Sequence, residues 1–185
     1  IEYSHSAGNK SFRTKLVEYY SKFSINLGTE DIIITTGGSE AILIGFLVCL
    51  NPGDEVLVPE PFYANYISFA KAASASIKTI PTTIEEGFAL PPISTFENYI
   101  TEKTKAIMIC NPGNPTGKIY SRQELEQIKE IVKKHNLFLF ADEVYREFCY
   151  EQKTPLSVMQ LEGIEENVIL IDSISKRYSM CGSRI

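Results

Sequence analysis

Long apolar runs are missing from this chain. The longest, Ala41 to Leu50, is too short to cross a bilayer and reads as a buried helix, so no membrane partner is expected. The opening residues Ile1-Glu2-Tyr3-Ser4-His5-Ser6 lack the charged-then-apolar profile of a secretory signal. Cys49, Cys110, Cys149 and Cys181 form no C-x-x-C pair and no zinc spacing. That pattern excludes a disulfide framework, gives no metal site, and predicts four reduced thiols in a cytoplasmic protein. Basic runs are missing too. The 18 Lys+Arg against 23 Asp+Glu leave a net charge of −5, which argues against nucleic acid and leaves phosphate-bearing small molecules open. Without repeats, low-complexity tracts or linkers, 185 residues suit a single domain with a substantial core.

The apolar residues fall into alternating helix and strand patterns. Phe12, Leu16, Tyr19, Tyr20 and Phe23 recur at helical spacing and predict a helix over 12–23. The β-branched run Asp31–Thr36 predicts a buried strand, broken by Gly37-Gly38-Ser39-Glu40, which opens the apolar helix 41–50. Further strands are predicted over 55–59, 76–81, 104–110, 137–141 and 168–171, with helices over 64–75 and 93–100. Ser121 with Glu124 is a capping box opening a helix whose Leu125, Ile128, Ile131 and Val132 share one face. His135 and Asn136 suit its C-terminal end, which makes His135 a cap residue rather than a catalyst. Strands alternating with helices predict an α/β domain, a mostly parallel sheet sandwiched by helices. In such sheets ligands bind outside the carboxyl ends of the strands.

Several motifs sit at those ends. Gly37-Gly38-Ser39-Glu40 joins a strand end to a helix start, which makes it either a plain tight turn with Ser39 as N-cap or a place where backbone amides attract an anion; if an anion binds, Glu40 must turn its carboxylate away. Asn111-Pro112-Gly113-Asn114-Pro115-Thr116-Gly117-Lys118 is one residue too short for a Walker loop and has Ile119 where that loop binds Mg²⁺, so it reads as a rigid turn presenting Asn114. Asp142 ends an apolar run, where an unpaired carboxylate is costly, so it is expected to face a cation or to cap the next helix; Tyr145 follows three residues on. In Pro61-Phe62-Tyr63-Ala64-Asn65-Tyr66, Tyr63 stands where it could stack on a planar ring. Lys176 has Arg177 beside it and Arg184 eight residues later; neighbouring positive charge favours a neutral, nucleophilic amine, and Ser173 and the guanidinium mark a place for an anion. A lone lysine of this kind is ordinarily a solvated loop residue. Here five upstream loops converge on it.

With these motifs in order, GGSEAI (37–42), PFYANY (61–66), NPGNPTG (111–117), DEVY (142–145) and SISKRYSMCGSRI (173–185), the chain resembles the class I/II aminotransferases of aspartate aminotransferase fold. The resemblance implies a large domain over 1–185 that binds pyridoxal 5'-phosphate. It implies that Lys176 forms the Schiff base and shuttles the proton, that Asp142 pairs with the pyridinium nitrogen, and that Tyr145 and Asn114 bond the phenolic oxygen. Tyr63 would stack on the ring. Gly38, Ser39, Glu40 through its amide, Ser173 and Arg184 would hold the phosphate, and Tyr3 would reach the phosphate of a neighbouring subunit in a homodimer. The implied reaction moves an amino group between an amino acid and a 2-oxo acid. The same constellation serves C–S β-lyases and aminocyclopropane-carboxylate-synthase-like enzymes, and a sensor module without turnover keeps it too. The family's carboxylate-clamping second arginine lies in a small domain without a counterpart here, which predicts weak or no turnover from these 185 residues alone.

Overall fold

Each strand of the sheet is a short apolar run that ends where a polar loop begins. In a computed structural model describing residue 3, residues 5–150 and residues 155–185, five strands are seen. They are β1 (Glu55–Pro59), β2 (Ser76–Ile80), β3 (Thr104–Cys110), β4 (Phe138–Asp142) and β5 (Val168–Ile171). They form one sheet in the order β2-β1-β3-β4-β5, and every pairing is parallel. Ile1, Glu2 and Ser4 of the opening segment lie outside the described residues. The three central strands are buried on both faces, which is why Val56–Val58, Ala106–Ile109 and Leu139–Ala141 are continuous rather than alternating apolar runs.

Helices cover both faces. They are α1 (Lys10–Ser21), α2 (Gly38–Cys49), α3 (Asn65–Ala72), α4 (Ile93–Glu97), α5 (Arg122–His135) and α6 (Ile174–Arg177). On one face Leu57, Ile107 and Leu139 meet Leu125, Ile128, Ile131 and Val132 of α5. Burying each such side chain contributes roughly 1.5–3 kcal/mol. On the other face Val56, Met108 and Phe140 meet Ile42 and Phe46 of α2 and Tyr66 and Ala70 of α3. Phe46 and Phe140 pack edge to face with centroids 4.9 Å apart. The α/β architecture expected from the sequence is the one observed.

The ends of α5 follow the sequence signals. Ser121 Oγ accepts from the Glu124 amide at 3.2 Å and Glu124 Oε2 accepts from the Ser121 amide at 2.7 Å, the two halves of a capping box. Asn136 closes the helix in the left-handed conformation at φ 49°, and His135 Nε2 lies 3.1 Å from Glu97 Oε1.

Two expectations fail. Asp31–Thr36 is not a strand: after a 3-10 turn at Thr29–Asp31 it runs extended, Ile34 donates to the Ala7 carbonyl at 3.0 Å, and Ile33 is 65% exposed. A β-branched run becomes a strand only where a neighbour takes its backbone groups. Here an apolar groove of 660 Å³, bordered by Ile32, Ile34, Val48, Ile169, Ile171 and Ile185, separates it from the outer strand β5. The second failure is α2, expected to be buried along its length. Ile42 and Phe46 are buried, but Leu47 is 56% and Val48 78% exposed, because the helix packs on the sheet with one face only. Elsewhere boundaries shift by a few residues. The helix expected over 12–23 is α1 at Lys10–Ser21, opened by the Asn9 side chain, which accepts from the Phe12 amide at 3.1 Å.

Candidate functional site

The strand register decides which loops meet. Cys110 of β3 and Ile171 of β5 both pair with Asp142 of β4, so the loops that follow these three strands begin at one level on the carboxyl edge. The loop after β1 and the first turn of α2 open on the same edge. Of the expected residues, Gly38, Ser39, Tyr63, Asn114, Asp142, Tyr145, Ser173, Lys176 and Arg184 all hang from these segments.

Asp142 is the deepest of them, 6% exposed at the end of β4. Its first partner is a phenol rather than a cation: Tyr66 of α3 donates its hydroxyl to Asp142 Oδ2 at 2.6 Å. Oδ1 accepts the Val144 amide at 3.3 Å, so the capping role also exists. Burial raises the carboxyl above its ordinary range, while the Tyr66 and Val144 hydrogen bonds and the charge of Lys176 work against the rise. Beneath them the Cys110 thiol is pushed up to about 12 by burial and by the Asp142 charge. Sequence reasoning passed over Tyr66. Its signal was the spacing of three from Tyr63, which puts both aromatics on one face of the α3 entry.

Lys176 lies on the single turn α6, exposed, with Nζ 5.9 Å from the centroid of the Tyr145 ring. The neighbouring cation Arg177 turns the other way, towards Asp172 and Glu147, so its charge is neutralised rather than directed at the lysine. Arg184 does the opposite. It sits in the left-handed region at φ 54° with its guanidinium against Gly37, where a Cβ would come within 2.8 Å of Nη2.

Gly37 itself has φ 80° and ψ 168°, a backbone region that side chains seldom enter. This places the N-terminus of α2 next to Arg184. Glu40 turns its carboxylate back onto the Thr36 amide at 2.5 Å, away from the amides of Gly38 and Ser39, as an anion there would require. The junction is therefore a cradle of backbone amides with a guanidinium over it. Ser173 is engaged elsewhere: its hydroxyl lies 2.6 Å from the Ile185 carbonyl and accepts the Ser175 amide at 3.1 Å, which caps α6.

Tyr63 is half-buried and edge-on to Tyr66, with centroids 5.5 Å apart and planes at 86°; its hydroxyl accepts from Asn65 Nδ2 at 2.7 Å. Asn114 is half-buried in a loop stitched by another amide, since Asn111 Oδ1 accepts from the Tyr120 amide at 3.0 Å and Asn111 Nδ2 donates to Leu156 O at 3.1 Å. Tyr3 stands fully exposed, apart from this cluster.

A family model for aminotransferase class I and II matches residues 1–185. The aspartate aminotransferase of Sulfolobus acidocaldarius is 34% identical over 186 residues, covering 99% of this chain and 46% of that protein. The crystal structure of an aromatic aminotransferase from Pyrococcus horikoshii OT3 superposes with a TM-score of 0.94 at 31% identity, over 99% of this chain and 49% of that one. N-succinyldiaminopimelate aminotransferase from Mycobacterium tuberculosis superposes at 0.93 with 32% identity, over 100% of this chain and 48% of that one. The chain spans about half the length of the relatives it matches, or less.

Proposed function

The chain belongs to the class I and II aminotransferases, and from that premise we propose that it is the cofactor-binding part of a pyridoxal-phosphate-dependent enzyme moving an amino group between an amino acid and a 2-oxo acid. The observation that carries the proposal is the meeting, on one sheet edge, of an amine over a tyrosine ring, a buried carboxylate and an amide-and-guanidinium cradle.

The residues fit the parts of the cofactor. The cradle at Gly37 is open to a dianion: the Gly38 and Ser39 amides and the Arg184 fork would take a phosphate, while the Glu40 amide, which donates to the Gly37 carbonyl at 3.2 Å, and the Ser173 hydroxyl, which donates to Ile185, would join by turning from those partners. Asp142, whose burial disfavours its own charge, is relieved by a pyridinium N–H⁺ and in turn keeps that nitrogen protonated. Tyr63 offers a ring face, and Tyr145 and Asn114 offer hydrogen bonds to a phenolic oxygen. Pyridoxal phosphate supplies, when bound, an electron-withdrawing ring that accepts the charge left on the amino acid's Cα. Lys176 would supply the amine that holds the group and would take the proton from the substrate Cα. Tyr3, fully exposed, is free to reach the phosphate site of a second copy in a homodimer. The four free cysteines support a reducing, cytoplasmic setting.

Incubation with pyridoxal phosphate followed by borohydride is expected to fix the cofactor to Lys176, read by peptide mass spectrometry and by the visible absorbance of the unreduced protein. A Lys176→Ala variant that keeps the same absorbance and label refutes the assignment.

A further inference from the structure

The turn that carries Lys176 is four residues long. One helical turn does not sustain itself, because fixing its dihedrals costs more than its hydrogen bonds return. Something outside α6 must hold it, and the contacts of Arg177 supply the means. Its Nη2 donates to Asp172 Oδ2 at 2.7 Å, closing a ring around Ser173-Ile174-Ser175-Lys176. Asp172 holds the base of that ring, with Oδ1 accepting the Ser173 amide at 2.7 Å and Oδ2 also accepting the Tyr20 hydroxyl at 2.7 Å. On its other side, Arg177 Nε lies 3.3 Å from Glu147 Oε1, and the guanidinium stacks 4.4 Å from the centroid of Tyr19. Glu147 accepts the Tyr19 hydroxyl at 2.5 Å and sits two residues beyond Tyr145, on the segment that begins at Asp142. Only 5% of the Arg177 side chain is exposed, so its pair with the nearly buried Asp172 is little screened, whereas the pair with Glu147, 41% exposed, is screened more.

We propose that Arg177 is a positioning residue that locks the Lys176 turn to the Asp142–Tyr145 turn, through Asp172 on one side and Glu147 on the other. This rests on the reading of Lys176 as the cofactor-bearing amine. A planar fork is what the place demands: it reaches two carboxylates at once and lies flat on a ring, which a lysine ammonium cannot do. Arg177 has a second effect. The Asp172 charge bears on Asp142, and Arg177 neutralises Asp172. The groups around it are Asp172, Glu147, Tyr19, Tyr20 and Tyr178, whose ring centroid lies 6.0 Å from the guanidinium, with Arg146 beyond, lying on the Tyr20 ring and paired with Glu143.

The test compares Arg177→Met and Arg177→Lys with the parent in the whole protein that carries this chain, using pyridoxal phosphate as the probe. Without the cofactor, amide exchange over residues 172–178 is expected to quicken about tenfold in Arg177→Met, the change that loss of a charged hydrogen bond of roughly 1.5 kcal/mol produces. With it, borohydride labelling of Lys176 slows by a similar factor. The pH midpoint of the bound chromophore rises by roughly half a unit, because Asp172 and Glu147 lose their shared counter-cation and their negative charge favours a proton nearby. Arg177→Lys keeps the charge, so its midpoint stays near the parent's while its labelling remains slow. Parental exchange and labelling in Arg177→Met overturn the proposal, and so does lost thermal stability with labelling and midpoint both unchanged. A parent protein that takes no cofactor at Lys176 sinks the cofactor reading instead, and the exchange measurement still decides whether the lock exists.

Discussion

Substituting Gly37 by alanine tests the cradle directly. At φ 80° and ψ 168° the backbone sits in a region essentially reserved for glycine, and forcing alanine to stay there costs about 1–3 kcal/mol. The added methyl would also stand 2.8 Å from Arg184 Nη2 and 3.3 Å from its Cζ, so the guanidinium must move off the α2 terminus. For a chain of this size each kcal/mol lowers Tm by roughly 2–4 °C, which gives a fall of about 6 °C at the middle of that range. Losing one charge-assisted donor to the phosphate, worth roughly 1.5–3 kcal/mol, weakens pyridoxal phosphate binding by about ten- to a hundredfold. Differential scanning calorimetry and absorbance titration of the apoprotein measure the two effects. Gly53→Ala separates them, since Gly53 has φ 92° but nothing within 4 Å of the added methyl. It should lower Tm while leaving cofactor affinity at the parental value. Parental affinity in Gly37→Ala, or an equal loss in Gly53→Ala, refutes the reasoning.

Other outcomes follow from the same geometry. Burial holds the Asp142 carboxyl above the value of about 3.9 that it has when unfolded, so between the two values the folded state binds more protons and stability falls as pH rises through that window. Asp142→Asn removes the penalty, so its apoprotein should melt at or above the parent at pH 7, with the advantage gone near pH ~4 in a calorimetric pH series. The same variant should bind pyridoxal phosphate at least about tenfold more weakly by absorbance titration, having lost a buried charge partner. Ser121→Ala breaks the α5 capping box and should cost about 1 kcal/mol in urea denaturation with cofactor affinity unchanged.

What could be read beforehand was whatever depends on near neighbours. Asp142 was legible because a carboxylate ending an apolar run demands a reason, and α5 because its cap and its apolar face lie within one stretch. The ordering of glycine turn, aromatic, amide, carboxylate and lysine after successive strands was legible too, since parallel topology sends every such loop to one edge. The contacts that set orientation were not. Tyr66 meets Asp142 across 76 residues, Tyr19 meets Glu147 across 128, and Tyr20 meets Asp172 across 152. No local period marks those pairs. The strand expected over 31–36 failed for a related reason: its composition was right, but pairing is a property of two segments and the groove beside β5 supplies no partner.

The order of the sheet also has a bearing on synthesis. The cradle draws on Gly38 near the start of the described residues and on Arg184 near their end, and Lys176 rides on the turn after β5, the last of the five described strands in chain order. Roughly 150 residues separate the two halves of the cradle, which at ordinary elongation rates is a delay on the order of ten to thirty seconds. Once Asp142 has been made the nascent chain holds the glycine turn, the carboxylate and the aromatic face, but not yet the amine of Lys176 or the guanidinium of Arg184. A polypeptide stalled before β5 therefore carries four of the five described strands but neither Lys176 nor Arg184.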